Sequence, residues 1–213
     1  MAEGNKGSGG LTVDPSRILD FLIAAAVLIV GAPIIVVAAV LIRLQMGSPV
    51  LFKQERAGRN GKTFVMVKFR SMRNPKPGED GPDSDAARLT RLGKFIRATS
   101  IDELPTMVNV LWGEMSMVGP RPLPVRYLPR YSDEHARRHD VRPGITGWAQ
   151  VNGRNGLTWD EQLDHDVWYV EHRSPRLYFD ILGRTVQTVL ARDGISEDGH
   201  ATRTEFPGSG YAV

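Results

Sequence analysis

Phe21 to Ile42 reads FLIAAAVLIVGAPIIVVAAVLI, 22 consecutive residues without a charge. As a straight α-helix rising about 1.5 Å per residue, this run is about 33 Å long, enough to cross a bilayer core of about 30 Å. Asp20 stands at its entrance and Arg43 follows it. It lacks the basic start, shorter apolar stretch and small-residue cleavage site of a secretory signal. Because it is apolar on every face, a soluble core built from 213 residues is too small to surround it. Gly31, Ala32 and Pro33 lie at its midpoint, where proline removes a backbone donor and clashes with the preceding turn, so a bend is predicted there. Downstream, residues 43–73 carry eight Lys/Arg against one acid, Glu55, which marks that side as cytoplasmic. The N-terminal side has Lys6 and Arg17 against Glu3, Asp14 and Asp20. That balance permits a spanning helix as readily as a re-entrant one.

Working outward, the 213 residues suffice for one full domain, and 41% hydrophobic with 24% charged residues is the composition of a folded chain. The absence of cysteine excludes disulfides, Cys-ligated metals and a thiolate nucleophile. The net charge of +3 says less than its placement. Val50–Gln54 and Phe64–Phe69 are β-rich runs on either side of Gly58-Arg59-Asn60-Gly61, where Asn-Gly signals a hairpin turn. Residues 74–85 form a polar Pro/Gly-rich loop. Helices are predicted over 86–98, 101–112 and 159–171, the last with Thr158 and Glu161 as a capping box and Leu163, Val167 and Val170 on one face. A final helix over 177–191 places Phe179, Leu182, Val186 and Val189 on one side and spreads Arg176, Arg184 and Arg192 along its length. That pattern suits a membrane surface or packing on the globule. The fold class is α+β, mainly helical: an N-terminal membrane helix, a short β-hairpin and a helical globule with interfacial helices on the cytoplasmic face.

Ser100-Ile101-Asp102-Glu103-Leu104-Pro105 sets two adjacent carboxylates at a helix start, with Arg97 five residues before Asp102. A capping box from Ser100 to Glu103 accounts for Glu103 but not for Asp102. Two ionised carboxylates where phosphate oxygens also like to sit suit Mg²⁺ bridging the pair to a phosphate. Lys68-Phe69-Arg70-Ser71 and Gly119-Pro120-Arg121-Pro122 add cations that singly read as solvated charges and together, with Arg97, make a candidate anion site of Lys68, Arg70, Arg97 and Arg121. From Arg142 to Asn155, glycines alternate with polar side chains around Trp148. This suits a loop that approaches a nucleotide closely, where Gln and Asn can read a base edge, with Thr146, Gln150, Asn152 and Arg154 as the candidate contacts. It matches neither a P-loop nor GxGxxG. His135 and His139 have the spacing of a zinc pair, but with no third ligand in view they read as a solvated helix face, as does Asp164-His165-Asp166.

Taken in order, the proline-centred membrane helix, Lys68-Phe69-Arg70-Ser71-Met72, Asp102-Glu103-Leu104-Pro105, Gly119-Pro120-Arg121-Pro122 and Arg142-Pro143-Gly144-Ile145-Thr146-Gly147-Trp148 resemble the bacterial monotopic polyprenyl-phosphate phosphoglycosyl transferases. The resemblance covers roughly residues 15–195 and is to the small form of the family. It implies a flexible tail over 1–14, a bent membrane-embedded helix over 15–43 entering and leaving on the cytoplasmic face of the inner membrane, a catalytic domain over 44–195 and a loose tail over 196–213. It also implies transfer of a sugar-1-phosphate from a UDP-sugar to polyprenyl (undecaprenyl) phosphate with release of UMP, the first membrane step of glycoconjugate assembly. Carried over by motif, Asp102 is the nucleophile that forms an aspartyl-phosphosugar, Glu103 holds Mg²⁺ or positions the pair, and Lys68, Arg97 and Arg121 neutralise the diphosphate. The partners implied are the UDP-sugar, the polyprenyl phosphate and the lipid bilayer, without nucleic acid; a homodimer is compatible. One departure is Ala32-Pro33, where the family often has Ser-Pro. Two other readings compete: a non-catalytic membrane-anchored module binding anionic lipid or nucleic acid through residues 43–73, and a glycosyltransferase that releases UDP.

Overall fold

In the computed structural model, which describes residues 15–79, 84–153, 156–191 and 205–209, the apolar run lies within a single helix, α1 (Pro15–Met46), 32 residues long with Pro33 inside it. The helix runs through the Gly31-Ala32-Pro33 site without ending there. Its buried positions are Asp20, Ala24, Gly31, Ala38, Ile42 and Met46, spaced by fours and sevens, which is one face of a 3.6-residue repeat. The opposite face is also apolar, with Ile29 at 74%, Val30 at 79% and Val36 at 62% exposure. Among the described residues nothing covers this face, and the helix is long and apolar enough to cross a membrane.

The same globule holds both ends of α1. Near its start, Arg17 donates to the carbonyls of Val110 and Leu111, and the buried Oδ1 of Asp20 accepts from Ser116 Oγ (3.0 Å), Met117 N (2.8 Å) and Tyr178 Oη (2.8 Å). At its midpoint Gly31 faces the methyl groups of Leu104. At its end Arg70 donates to the carbonyls of Met46, Gly47 (2.9 Å) and Ser48 (3.2 Å), so it caps carbonyls that the helix itself leaves open.

β1 (Leu51–Ala57) and β2 (Thr63–Phe69) form the expected antiparallel hairpin, with Leu51 opposite Phe69 and Ala57 opposite Thr63. Asn60 and Gly61 at its turn have φ of 55° and 71°, the left-handed conformation that an Asn-Gly pair takes most readily. Among the described residues no third strand pairs with the far edge of β2. Asn109 stands in for one: its Oδ1 accepts from Val67 N (3.1 Å), its Nδ2 donates to Val65 O (2.8 Å), and Thr106 Oγ1 donates to Val67 O (2.8 Å). Asn109 is fully buried.

Two expected helices are each divided. Residues 86–98 become α2 (Asp85–Arg88) and α3 (Arg91–Ala98), because Leu89 is extended and bridges Met72 while Thr90 caps α3 through Gly93 N. Residues 101–112 become a 3₁₀ helix, Ile101–Thr106, followed by α4 (Met107–Trp112), since Pro105 has no N–H for an α-helical bond to Ile101. β3 (Ser116–Val118) then pairs in parallel with β4 (Gly144–Thr146), a second two-stranded sheet that sequence patterning missed. Between them lie a 3₁₀ helix (Val125–Arg130), α5 (Asp133–Ala136) and a 3₁₀ turn (Arg137–Asp140). α6 (Trp148–Val151), α7 (Trp159–His172) and α8 (Pro175–Ala191) follow. α7 has the expected Thr158/Glu161 capping box and buries Leu163 and Val167. On α8 the inward face is Tyr178 and Ile181, whereas Phe179 and Val186 are more than half exposed. The anticipated apolar face is therefore divided, with Leu182 on the core and those two outside; the side chain of Val189 and all of Arg192 lie outside the described residues.

Three further expectations are corrected. His135 and His139 are buried, because Asp164 and Ser209 take the two ring nitrogens of His135 and Gly58 O accepts from Nδ1 of His139. Asp166 is buried in an ion pair with Arg138. Within the segment expected to be a loose tail, Phe206 is fully buried against Tyr127, Tyr131 and Trp159, and Arg130 holds Glu205 and Phe206 O. Residues 1–14 lie outside the described residues, as do 196–204 and 210–213.

Burial, with the Arg138 guanidinium nearby, lowers the His139 pKa to about 4, and its Nε2 has no partner among the described residues. Above pH 6.5 the ring is neutral folded or unfolded and contributes nothing. As pH falls from 6.5 toward 4, the unfolded chain takes up a proton that the folded chain refuses, so stability is lost across that window. Between pH 7 and pH 5 the folded protein should lose roughly 1–2 kcal/mol from this group. His139→Gln, which keeps a donor for Gly58 O, should show a correspondingly smaller drop in melting temperature; parallel drops in both proteins would place the effect elsewhere.

Candidate active site

Asp102 and Glu103 belong to the 3₁₀ turn Ile101–Thr106, entered through Ser100 in the left-handed region (φ 55°). Ser100 makes no side-chain cap, so the capping-box reading of Glu103 fails. In a 3₁₀ turn successive side chains diverge by about 120°, and the neighbouring carboxylates acquire different surroundings. Glu103 Oε1 accepts from Lys68 Nζ at 2.6 Å and pairs with Arg121 Nη2 at 3.3 Å. No donor among the described residues hydrogen-bonds the Asp102 carboxylate.

The packing that makes this site begins at β2. Asn109 and Thr106 bind its free edge, which lays the 3₁₀ turn across the strand and brings Glu103 to Lys68 near the end of β2. α3 closes the other side. A Cβ on Gly93 would lie 1.8 Å from Ser71 O, so only glycine lets α3 approach the strand end so closely, and Arg97 Nε then reaches Ser71 Oγ at 2.9 Å. Lys68, Arg97 and Arg121 thus surround the carboxylate pair. Arg70 does not join them: the strand ends at Phe69, and its side chain turns to the carbonyls at the end of α1.

Electrostatics separate the two acids further. Burial, and then the charge of Glu103, raise Asp102 to about 6 against the pull of Lys68, Arg97 and Arg121. Burial opposes ionisation of Glu103 too, but the Lys68 and Arg121 charges carry it down to about 2. Arg97 is lowered by burial, with the Asp102 and Asp85 charges opposing. At neutral pH both acids are ionised, Glu103 locked between cations and Asp102 with open lone pairs. The described residues contain no cluster of three or more His, Cys, Asp or Glu able to hold a metal. Asp102 and Glu103 still offer two hard oxygens, and Mg²⁺ is commonly bound by one or two carboxylates together with substrate phosphates. The donor set fits.

The loop from Arg142 to Asn155 departs most from expectation. A Cβ on Gly119, Gly144 or Gly147 would come within 2.1–2.4 Å of backbone atoms of the facing segment. These glycines let β3 and β4 and their extensions pack backbone to backbone. Thr146 bonds Thr185 Oγ1 (2.7 Å), and Asn152 Nδ2 donates to Trp148 O (2.8 Å), so both serve internal packing. Arg154 lies outside the described residues. Gln150 differs: both its amide atoms are buried without a partner among the described residues, and Oε1 lies 2.9 Å from where a Gly147 Cβ would stand. Sequence reasoning overlooked Asn109, although a polar residue inside Met107-Val108-Asn109-Val110-Leu111-Trp112 was a visible signal. It also overlooked Arg56 and Arg138, which bond the remote carbonyls of Pro122 and Arg121.

The family described as bacterial sugar transferase matches residues 13–192. An uncharacterized sugar transferase of Bacillus subtilis (strain 168) is 47% identical over 194 residues, covering 91% of this chain and 96% of its own. A UDP-glucose:undecaprenyl-phosphate glucose-1-phosphate transferase of Caulobacter vibrioides is 40% identical over 190 residues, 83% of this chain and 70% of its own. A protein of the same name from Escherichia coli (strain K12) is 39% identical over 176 residues, 78% of this chain and 37% of its own.

An unpaired buried amide costs about 1–3 kcal/mol. Gln150→Met should therefore raise the melting temperature by a few degrees, while a contact to the sugar donor through that amide predicts an increase of about tenfold in KM. Thermal unfolding and donor titration, run on one preparation, check both.

Proposed function

We propose a reaction for this chain on one premise: it belongs to the bacterial sugar transferase family and is a phosphoglycosyl transferase. It moves a sugar-1-phosphate from a UDP-sugar to polyprenyl phosphate, the chemistry named for its Caulobacter and Escherichia relatives. The observation that carries the mechanism is the unequal commitment of the two acids. Glu103 is held by Lys68 and Arg121, whereas the Asp102 carboxylate is open. An Asp102 oxygen attacks the β-phosphorus of the UDP-sugar, the bond to the bridging oxygen breaks, and UMP departs with that electron pair. The phosphosugar is left as an acyl phosphate on Asp102. A phosphate oxygen of the polyprenyl phosphate then attacks the same phosphorus, and the Asp102 carboxylate leaves unchanged. A nucleophile with a pKa of about 6 is ionised at neutral pH and is also a good leaving group in the second step. Lys68, Arg97 and Arg121 neutralise the diphosphate and the charge that grows on the departing oxygen. Asp102 and Glu103 would hold Mg²⁺, which supplies further neutralisation of the phosphates when bound. Family membership replaces the reading of the chain as a non-catalytic module.

Asp102→Asn is nearly isosteric, so the fold should persist while turnover falls by at least about 10³-fold. With a UDP-sugar and no acceptor, intact-mass analysis of the wild type should show one phosphosugar adduct and UMP release. Turnover in the Asn variant, or UDP in place of UMP, would sink the mechanism.

We propose further that α1 enters the bilayer from the cytoplasmic face and returns to it, leaving both ends in the cytoplasm. Support comes from the anchoring of Arg17 and Asp20 at one end, and of Met46 to Ser48 at the other, on a single globule. A straight crossing would put those anchors on opposite sides of about 30 Å of hydrocarbon. The basic stretch 43–73 favours the cytoplasmic side, and exposed Phe179, Val186 and Trp112 suit the lipid interface. Ser8→Cys, in a chain with no cysteine of its own, should resist an impermeant thiol reagent in intact cells and react after permeabilisation. Reaction in intact cells would mean that α1 spans.

A further inference from the structure

Arg121 sits between Pro120 and Pro122, neither of which has an N–H, so its turn cannot be fixed by a ladder of its own amides. It is held through its carbonyls instead. Pro120 O accepts from Gly144 N (2.9 Å), Arg121 O from Arg138 Nη2 (2.7 Å), Pro122 O from Arg56 Nη1 (3.3 Å) and Leu123 O from Ala57 N (3.1 Å). Four consecutive carbonyls are each gripped by a different donor. Of the two guanidinium donors Arg138 is the more deeply buried, its side chain 1% exposed, with Nε and Nη2 on Asp166 Oδ2 at 3.1 and 2.7 Å and Nη1 toward Tyr131 Oη at 3.5 Å. A buried ion pair is seldom more stabilising than apolar residues of the same size, so stability alone does not explain it.

We infer that Arg138, oriented by Asp166, is a positioning residue for the transferase reaction: it fixes the backbone of Arg121 so that the Arg121 guanidinium stays beside Glu103 and over the donor diphosphate. The inference rests on the proposed role of Arg121 in binding that diphosphate. Asp166 orients the guanidinium fork, and Nη2 keeps a second N–H for the Arg121 carbonyl, to which no backbone amide among the described residues donates. An untethered turn would let Arg121, whose side chain is 46% exposed, swing into solvent.

The test is a double-mutant cycle on the full chain in detergent, following UMP release against UDP-sugar concentration at saturating polyprenyl phosphate. Arg121→Ala should lower kcat/KM by about 100-fold, and Arg138→Gln by about tenfold, mainly through KM. In the Arg121→Ala background the Arg138 change should have less than about a twofold effect, since the group that it positions is gone. Arg138→Lys, which keeps the charge opposite Asp166 but loses the fork, should behave like Arg138→Gln; it carries the cycle if the Gln variant fails to fold. A loss of equal size in both backgrounds, or a lower melting temperature with KM unchanged, would reduce Arg138 to a structural role and overturn the inference. Unchanged activity in Arg121→Ala would instead remove Arg121 from the diphosphate site, and the inference would fall with it.

Discussion

The binding of the Asn109 side chain to the open edge of β2 is the interaction on which the site depends. A carboxamide presents one acceptor and a pair of donors at nearly the spacing of a peptide group, so it can complete a strand edge that a neighbouring helix could not otherwise approach. With Thr106 beside it, the amide lays the turn carrying Asp102 and Glu103 across the hairpin, opposite Lys68. The second Nδ2 hydrogen goes to Glu114 Oε2 (2.7 Å), which fixes which way the amide faces. A hydrocarbon of the same shape would leave the strand edge unpaired in a dry interior, and the register between acids and cations would be lost with it.

Around that contact, the site solves the problem of keeping several cations close together at low solvent exposure. Arg17, Arg56, Arg70, Arg138 and Arg142 each donate to main-chain carbonyls. They serve as molecular rivets, and their charge is solvated by peptide dipoles. Lys68, Arg97 and Arg121 face the acids instead. Among the described residues the cations thus fall into two groups, those that hold the main chain and those that face the acids. Arg56 shows the strain of the arrangement: burial, then the like charge of Arg121, lower its pKa to about 10.

What could be read from the sequence was whatever depends on neighbours in the chain. The apolar run, the Asn60-Gly61 turn and the Thr158/Glu161 box are local, and their signals survive without tertiary context. The Asp102-Glu103 pair was legible as chemistry, although the divergence of its two roles needed the 3₁₀ turn that Pro105 imposes. Arg70 was misjudged because, two residues beyond Lys68, it would share a strand face with it only if the strand continued past Phe69. Phe206, His135 and His139 were misjudged because their partners lie at remote positions and nothing in local composition marks them. The glycines of residues 119–147 look alike whether they admit a ligand or another backbone; only the fold distinguishes the two.

Gly31 rests on Leu104, two residues from Asp102, while the outer side of the same helix is bare hydrocarbon. Whatever presses on that outer side is one van der Waals contact from the turn that carries Asp102. A bilayer thinner or thicker than the apolar length of α1 bends or tilts such a helix at a modest energy per ångström. For a helix held in a bilayer, acyl-chain length and lateral pressure would therefore have a direct mechanical route to this turn.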